Sequence, residues 1–360
     1  MIWHILAIGA LVQCAINYFA LRIVKSRSEA EVSENLAICI PMRNESKNVD
    51  GVITSVIAQV GLRRAAIEVL EDNSTDETVH LLEKYSDQIS MYRGAELPEG
   101  WLGKNFALHQ ISQSSEAKAA DYLVFIDADL RLEPAAISSA ISLMKELQWN
   151  FLSPYPREIA KSFAERLIQP LLQWSWLASV PLRRAERGKR KSMVIANGQF
   201  FLVKRSAYDA IGGHESIKGE VLDDLQLART LVGAGFIGGV ADGSGVASCR
   251  MYNSYSELVD GYTKSLWKAF GGPLGSIATA AILFLIGPWP IFQLLAGNSY
   301  AALYLAAIIL SRVITAKRVR SPLWEAILHP IGITFLLYLI TLSWIRKSRG
   351  GLIWKGRTLA

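Results

Sequence analysis

Cysteine is scarce in this sequence: Cys14, Cys39 and Cys249 are the only three in 360 residues. Three so widely scattered exclude a disulfide framework and a zinc site. Charge is thin as well, at 19% Asp, Glu, Lys and Arg, against about 25% in an average soluble domain. With 51% hydrophobic residues, that balance excludes disorder and disfavours a purely soluble protein. Neither the dinucleotide nor the Walker type of glycine-rich phosphate loop occurs, which argues against a dehydrogenase and a P-loop kinase. No internal repeat or low-complexity segment is present. No basic stripe with interleaved aromatics occurs either, so nucleic acid is not an expected partner. The net charge of +6 on a hydrophobic chain points instead to anionic lipid headgroups or phosphorylated substrates.

The hydrophobicity sits at the two ends. Ile2 to Leu21 is an apolar run followed at once by Arg22, Lys25 and Arg27, and about 20 such residues cross a bilayer. A cleavable signal peptide has the reverse charge order, so residues 1–24 read as an uncleaved anchor with the next domain in the cytoplasm. Three further runs, Pro273–Ala296, Tyr300–Ala316 and Leu323–Ile345, make residues 273–345 a C-terminal transmembrane region before a basic tail, 346–360. Four full crossings would leave that tail outside, while Lys317, Arg318 and Arg320 also favour the cytoplasmic side. A re-entrant or interfacial last run satisfies both. The expected location is therefore the cell membrane, multi-pass.

Between the ends, Leu36–Ile40, Ile67–Leu70 and Tyr122–Ile126 are short β-branched-rich strand candidates. Helical spacing follows each one. Val49, Val52, Ile53, Val56 and Ile57 recur after Asn44 or Ser46 as N-cap, Asp76 opens a second helix, and Pro134 a third with Ile137, Ile141 and Met144 on one face. Alternating strands and helices imply a doubly wound parallel sheet, whose ligands sit at the carboxyl ends of the strands. Those positions hold Pro41-Met42-Arg43-Asn44-Glu45, Glu71-Asp72-Asn73-Ser74-Thr75-Asp76 and Asp127-Ala128-Asp129. One polar turn is often only a cap; three in succession face one cleft. Two carboxylates after a buried strand suit Mg²⁺ or Mn²⁺ with substrate phosphates.

Together these motifs resemble the family 2 glycosyltransferases, over about residues 35–270. The resemblance implies an α/β GT-A fold, Rossmann-like with a mostly parallel sheet, in a cytoplasmic domain flanked by N- and C-terminal transmembrane helices. It implies that Pro41, Arg43 and Glu45 line a nucleoside pocket, that Asp72 accepts a hydrogen bond from the base, and that Asp127 and Asp129 form the metal motif. Glu71 stands where an Asp is commoner. Leu222-Asp223-Asp224 is similar to the pair bearing the catalytic base, here Asp224 with Asp223 as alternative. Leu97-Pro98-Glu99-Gly100-Trp101-Leu102-Gly103-Lys104-Asn105, Ala196-Asn197-Gly198-Gln199-Phe200 and Trp354-Lys355-Gly356-Arg357 narrow the likeness to membrane-bound bacterial glycosyltransferases associated with carotenoids and hopanoids. Lys104, Asn197 and Lys264 join the implied donor site. The Gln-x-x-Arg-Trp motif of processive synthases is absent, and Gly261-Tyr262-x-Lys264 occupies roughly its place, so single-sugar transfer is expected.

The implied reaction displaces a nucleoside diphosphate, a UDP-sugar foremost, by a lipid-soluble hydroxyl or carboxyl acceptor in one inverting step. A metal and cations meet the leaving charge, and a carboxylate takes the acceptor's proton. Alternative roles stay open for several residues: Lys104 as a solvated loop lysine, Trp101 as a packing residue, Asp223 and Asp224 as caps, His214 in a loop. Phe163–Leu182, with Trp174 and Trp176, leads into Arg183, Arg184, Arg187, Lys189, Arg190 and Lys191. Residues 163–191 thus fit a membrane-lipid interface or a packed helix with a basic loop. Transfer to a polyprenyl phosphate or another glycolipid, and an inactive membrane scaffold, are the competing functions.

Overall fold

The computed structural model describes residues 2–188, 190–354 and 357–358; Lys189 of the basic segment and Lys355 and Gly356 of the closing motif lie outside them. The chain forms two units. One comprises Arg22–Arg157 and Arg184–Cys249, the other Met1–Leu21, Glu158–Arg183 and Arg250–Ala360.

The first unit is built on an eight-stranded sheet. Its strands are β1 (Arg22–Ile23), β2 (Val32–Met42), β3 (Leu62–Glu71), β4 (Ser90–Arg93), β5 (Tyr122–Ile126), β6 (Phe151–Tyr155), β7 (Phe200–Lys204) and β8 (Gly238–Asp242). They lie in the order β1-β8-β6-β7-β5-β2-β3-β4. Every neighbouring pair is parallel except those of β7, which is antiparallel to both β5 and β6. Strand β2 shows why both faces are covered. Leu36, Ile38, Ile40 and Met42 point into one buried cluster with the helices Val49–Ile57 and Ala136–Glu146. Alternate residues Ala37 and Cys39 point into a second, with the helices Gly103–Ser112 and Asp223–Gly233. The side-chain period of two makes each strand serve both cores.

The structure alters several local expectations. The helix Val49–Ile57 has Asn48 at its N-cap position, without a side-chain cap bond, rather than Asn44 or Ser46. Asn44 instead adopts a left-handed backbone, as does Asn73 after β3 (φ 52° and 54°), a conformation Asn tolerates better than most residues. The sheet is not wholly parallel, because the chain after Gln199 returns through the middle as β7.

The second unit is helical. Among the described residues four stretches are long and apolar enough to cross a membrane: Trp3–Ala20, Pro273–Leu295, Tyr300–Arg318 and Leu323–Ser348. On the first helix Ile5, Ile8, Val12, Ile16 and Phe19 form an exposed apolar stripe, while Ala7, Cys14 and Asn17 are buried. Such a stripe suits lipid rather than water. Arg318 donates from Nε to Tyr18 O at 3.1 Å and from Nη2 to Leu21 O at 2.8 Å, and His4 lies by Tyr304 at 6.2 Å. The first and third stretches therefore run side by side in one direction.

The second stretch breaks at Gly287-Pro288 into helices Pro273–Ile286 and Trp289–Leu295. A Cβ on Gly287 would lie 2.5 Å from Ile333 Cγ2, so glycine admits the last helix, His329–Ser348, at the break. That helix starts with His329 Nε2 beside Ile286 O at 3.2 Å. It ends with Arg346 paired to Asp260 at 2.6 Å, on the helix Tyr255–Ala269 that precedes the second stretch. Trp174 and Trp176 are buried, and Trp174 Nε1 donates to Ser311 Oγ at 2.8 Å. These tryptophans are packing residues of the helix Phe163–Ser179, not exposed interface anchors.

Candidate active site

The carboxyl ends of β2, β3 and β5 gather the polar turns. After β2, Arg43 Nη1 donates to the carbonyls of Asp72 and Asn73. Asn44 N donates to Ser74 Oγ at 3.0 Å, and Thr75 N returns a bond to Asn44 Oδ1 at 2.8 Å. Glu45 N donates to Thr78 Oγ1 at 2.8 Å, and Ser46 N to Asp76 Oδ2 at 3.1 Å. The first two turns are thus cross-linked into one platform. Asp72 is buried on it, its N–H on Met42 O at 2.8 Å, and Pro41 sits in register with Leu70 at the strand end. Glu71, in the position where Asp is commoner, turns its carboxylate to Ser74 N.

The third turn carries the charges. Asp127 N donates to Gln199 O at 3.1 Å, so the strand leading into β7 holds it. Lys104 Nζ lies 2.7 Å from Asp127 Oδ1 and 3.5 Å from Asp223 Oδ2. Lys104 is not on a loop: it is the second residue of the helix Gly103–Ser112. Desolvation opposes its charge, but the Asp127 and Asp223 carboxylates outweigh that and hold the ammonium above the usual lysine range. Asp129 Oδ2 accepts from Gln199 Nε2 at 3.3 Å, whereas its Oδ1 is buried with no hydrogen-bond partner. Burial first, then Asp127 and Glu45, push the Asp129 carboxyl up to about 6. A buried, unpartnered carboxylate oxygen facing like charge has the chemistry to accept a cation.

Asp223 and Asp224 open the helix Asp223–Gly233. Asp224 Oδ1 accepts its neighbour's Leu225 N at 2.7 Å, and burial together with Asp223 raises its carboxyl to about 7. Gly198 fits between this helix and Lys104. A Cβ there would lie 3.1 Å from Lys104 Nζ and 3.2 Å from Asp224 Cβ. Asn197 is braced rather than open: its N–H donates to Ser153 Oγ at 2.8 Å, and its Oδ1 accepts from Gln199 N at 2.8 Å. Asn105 Nδ2 reaches the carbonyls of Ile217, Lys218 and Glu220 at 2.8, 3.2 and 3.0 Å, fixing the loop that delivers Asp223.

His214 is no base. It is buried against Tyr208 OH at 2.8 Å and edge-on to Phe125, and desolvation lowers it to about 3. Trp101 packs on Phe106 and His109 at 5.2 and 4.9 Å. Lys264 lies in the helical unit, on the helix Tyr255–Ala269. Gln199, Ser153 and Asn105 are the residues that reading the sequence missed. Gln199 stood within a quoted motif, but its contact to Asp129 has no local signature.

Acidic turns at the carboxyl ends of β2, β3 and β5 in a mostly parallel sheet, with the reversed strand β7 beside β5, make a GT-A fold. Residues 37–212 match the family Glycosyl transferase family 2. The fold is shared with a mannosyltransferase from Pyrobaculum calidifontis solved with GDP-Man and Mn²⁺. It is 14% identical, with a TM-score of 0.58, and the match covers 96% of this chain and 99% of that one. The chain is similar to the 4,4'-diaponeurosporenoate glycosyltransferase of Staphylococcus aureus (strain USA300). They are 25% identical over 339 residues, 89% of this chain and 87% of that protein. A protein of the same name from Staphylococcus haemolyticus is 22% identical over 264 residues, 72% and 68% of the two.

Proposed function

We propose that this glycosyltransferase is a membrane-embedded, metal-assisted, inverting enzyme that moves one sugar from a nucleoside diphosphate to a lipophilic acceptor. The observation that carries this reading is the Lys104–Asp127–Asp223 cluster with the unpartnered Asp129 oxygen beside it. Among the described residues no three acidic, His or Cys side chains form a metal cage. Two carboxylates, Asp127 and Asp129, fit the arrangement in which Mg²⁺ or Mn²⁺ takes its other ligands from diphosphate and water. Bound there, a divalent ion would neutralise the charge developing on the leaving diphosphate.

The chain's own residues divide the remaining work. Arg43, Glu45 and Asp72, locked together by the cross-linked turns, receive the nucleoside. Lys104 meets the diphosphate with a fixed positive charge that is already oriented. The anomeric carbon's bond to phosphate breaks as the acceptor oxygen bonds to its opposite face, and the electron pair leaves on the diphosphate. Asp224, raised toward neutrality, takes the proton from a hydroxyl acceptor. A carboxylate acceptor, of the kind named for the staphylococcal relatives, is already deprotonated at neutral pH and needs no base. Asn197 and Gln199 then act as positioning residues.

The membrane reading is supported by the apolar stripe and by the two arginine ties. Arg318 places the end of the third stretch beside the end of the first, and Arg346 returns the last helix to Asp260. That arrangement favours a last run that enters the bilayer and comes back, keeping the basic ends on the cytoplasmic side. The purified full chain, given a radiolabelled nucleotide sugar, a lipid extract and Mn²⁺, should move label into the organic phase. No transfer to any lipid fraction, with donor bound, would contradict the lipophilic acceptor.

A further inference from the structure

Two local rules are broken at the start of the helix Val49–Ile57, and one side chain accounts for both. Asn48 occupies the N-cap position, where asparagine ordinarily accepts a bond from its own helix, yet its side chain makes no cap bond. It bridges instead: Asn48 Oδ1 accepts from Arg131 Nη2 at 3.1 Å, and Asn48 Nδ2 donates to Glu45 Oε2 at 2.8 Å. Gly51 is the third residue of the helix, where glycine is unfavourable. Its backbone is not left-handed, so conformation does not call for glycine. A Cβ on Gly51 would lie 2.2 Å from Arg131 Nε, so glycine admits the guanidinium. Arg131 stands on the short strand Leu130–Leu132, straight after the Asp127-Ala128-Asp129 turn. Its Nη1 donates to the carbonyls of Ala128 and Leu130, at 2.9 and 2.7 Å, the residues on either side of Asp129.

The fork of Arg131 thus holds two things at once. Nη1 pins the backbone on both sides of Asp129, and Nη2 reaches Glu45 through Asn48. Burial pulls the guanidinium below the usual arginine range, and Asp129 and then Glu45 pull against it, so both carboxylates lie within its electrostatic reach. The turn itself does not need this arrangement, since Leu130 N already closes it on Asp127 O at 3.1 Å. Local rules given up where candidate functional residues meet point to a functional link. We propose, resting on the reading that places Glu45 in the nucleoside pocket and Asp129 at the ion, that Arg131 is a positioning residue for the nucleotide donor. Through Asn48 it keeps the ion turn and the nucleoside pocket in one register. A planar guanidinium with a fixed fork suits that task, and a single ammonium does not. Outer partners of this kind set the affinity of a site by about 10–100-fold.

The test is calorimetric titration of the full chain in phosphatidylcholine nanodiscs, in the presence of Mn²⁺, with UDP or GDP, whichever the unaltered chain binds. Arg131→Lys keeps the charge but not the fork, and should weaken binding about 10-fold or more. Asn48→Asp is the sharper variant. Aspartate still accepts from Arg131 and caps a helix as well as asparagine does, but it cannot donate to Glu45 and repels it. Binding should weaken about 5-fold or more, while the melting temperature holds or rises. Should Arg131→Lys not fold, Asn48→Asp decides alone. Affinity and melting temperature falling together in Asn48→Asp would reduce the bridge to a structural contact and overturn the proposal. An affinity within about 2-fold of the unaltered chain, in either folded variant, would overturn it as well. Failure of the unaltered chain to bind either nucleotide would overturn the donor-site reading, and this role with it.

Discussion

Lys104 Nζ stands between two carboxylates that come from distant parts of the chain, 2.7 Å from Asp127 and 3.5 Å from Asp223. One belongs to the turn after β5 and the other to the helix that carries Asp224. The single ammonium therefore ties the turn after β5 to the start of the helix Asp223–Gly233.

Lys104→Met should cut turnover by about 10²–10³-fold, the loss typical when one group stabilising a developing anion is removed. The protein should still fold, because Met keeps the stem packed. Steady-state rates with a saturating donor check this; a change under 3-fold would reduce Lys104 to a structural ion pair.

Asp224→Asn separates chemistry from binding. On a verified hydroxyl acceptor the loss should be about 10²–10⁴-fold, with donor affinity unchanged. On a carboxylate acceptor the same variant should retain near-normal turnover. In the unaltered enzyme the hydroxyl reaction should slow as pH falls below about 7, where Asp224 gains its proton, and the variant should lack that limb.

Much of this was legible in the sequence, and the limits have physical causes. Leu36–Ile40 and Tyr122–Ile126 announced themselves because strands buried on both faces read as unbroken apolar runs. Strand β7 did not, although Asn197-Gly198 before it is a turn signal, because Phe200 was absorbed into the end of the Ala196–Phe200 motif. The helix that starts at Gly103 was missed because its N-cap, Leu102, offers no side-chain cap. Trp174 and Trp176 beside basic residues looked interfacial, but burial depends on partners such as Ser311, 137 positions away. The brace from Ser153 to Asn197 spans 44 positions and leaves no local pattern either.

His214 predicts a pH effect on stability. Burial lowers its pKa to about 3 in the folded chain, against about 6.5 when unfolded. Between those values the unfolded state binds the proton that the folded state refuses, so stability rises with pH. The contribution is complete above pH 6.5 and is lost progressively as pH falls toward 3. Melting temperatures of the unaltered chain should drop more steeply from pH 7 to pH 5 than those of His214→Gln; parallel curves would show His214 to be protonated in place.

Single cysteines at exposed positions test the topology, since the three native ones are buried. With a membrane-impermeant thiol reagent on intact cells, Ser299→Cys should label, while Glu99→Cys and Arg349→Cys should label only after permeabilisation. Labelling of Arg349→Cys in intact cells would mean that the last helix crosses fully.

The metal-assisted donor site is tested most directly by titrating a nucleotide sugar into the protein calorimetrically, with Mn²⁺ and again with chelator. On the proposed reading, Asp127 and the unpartnered oxygen of Asp129 hold the diphosphate through the ion, so chelation should weaken binding by about 10-fold or more, each tenfold being about 1.4 kcal/mol. Equal affinity in both titrations would contradict the account.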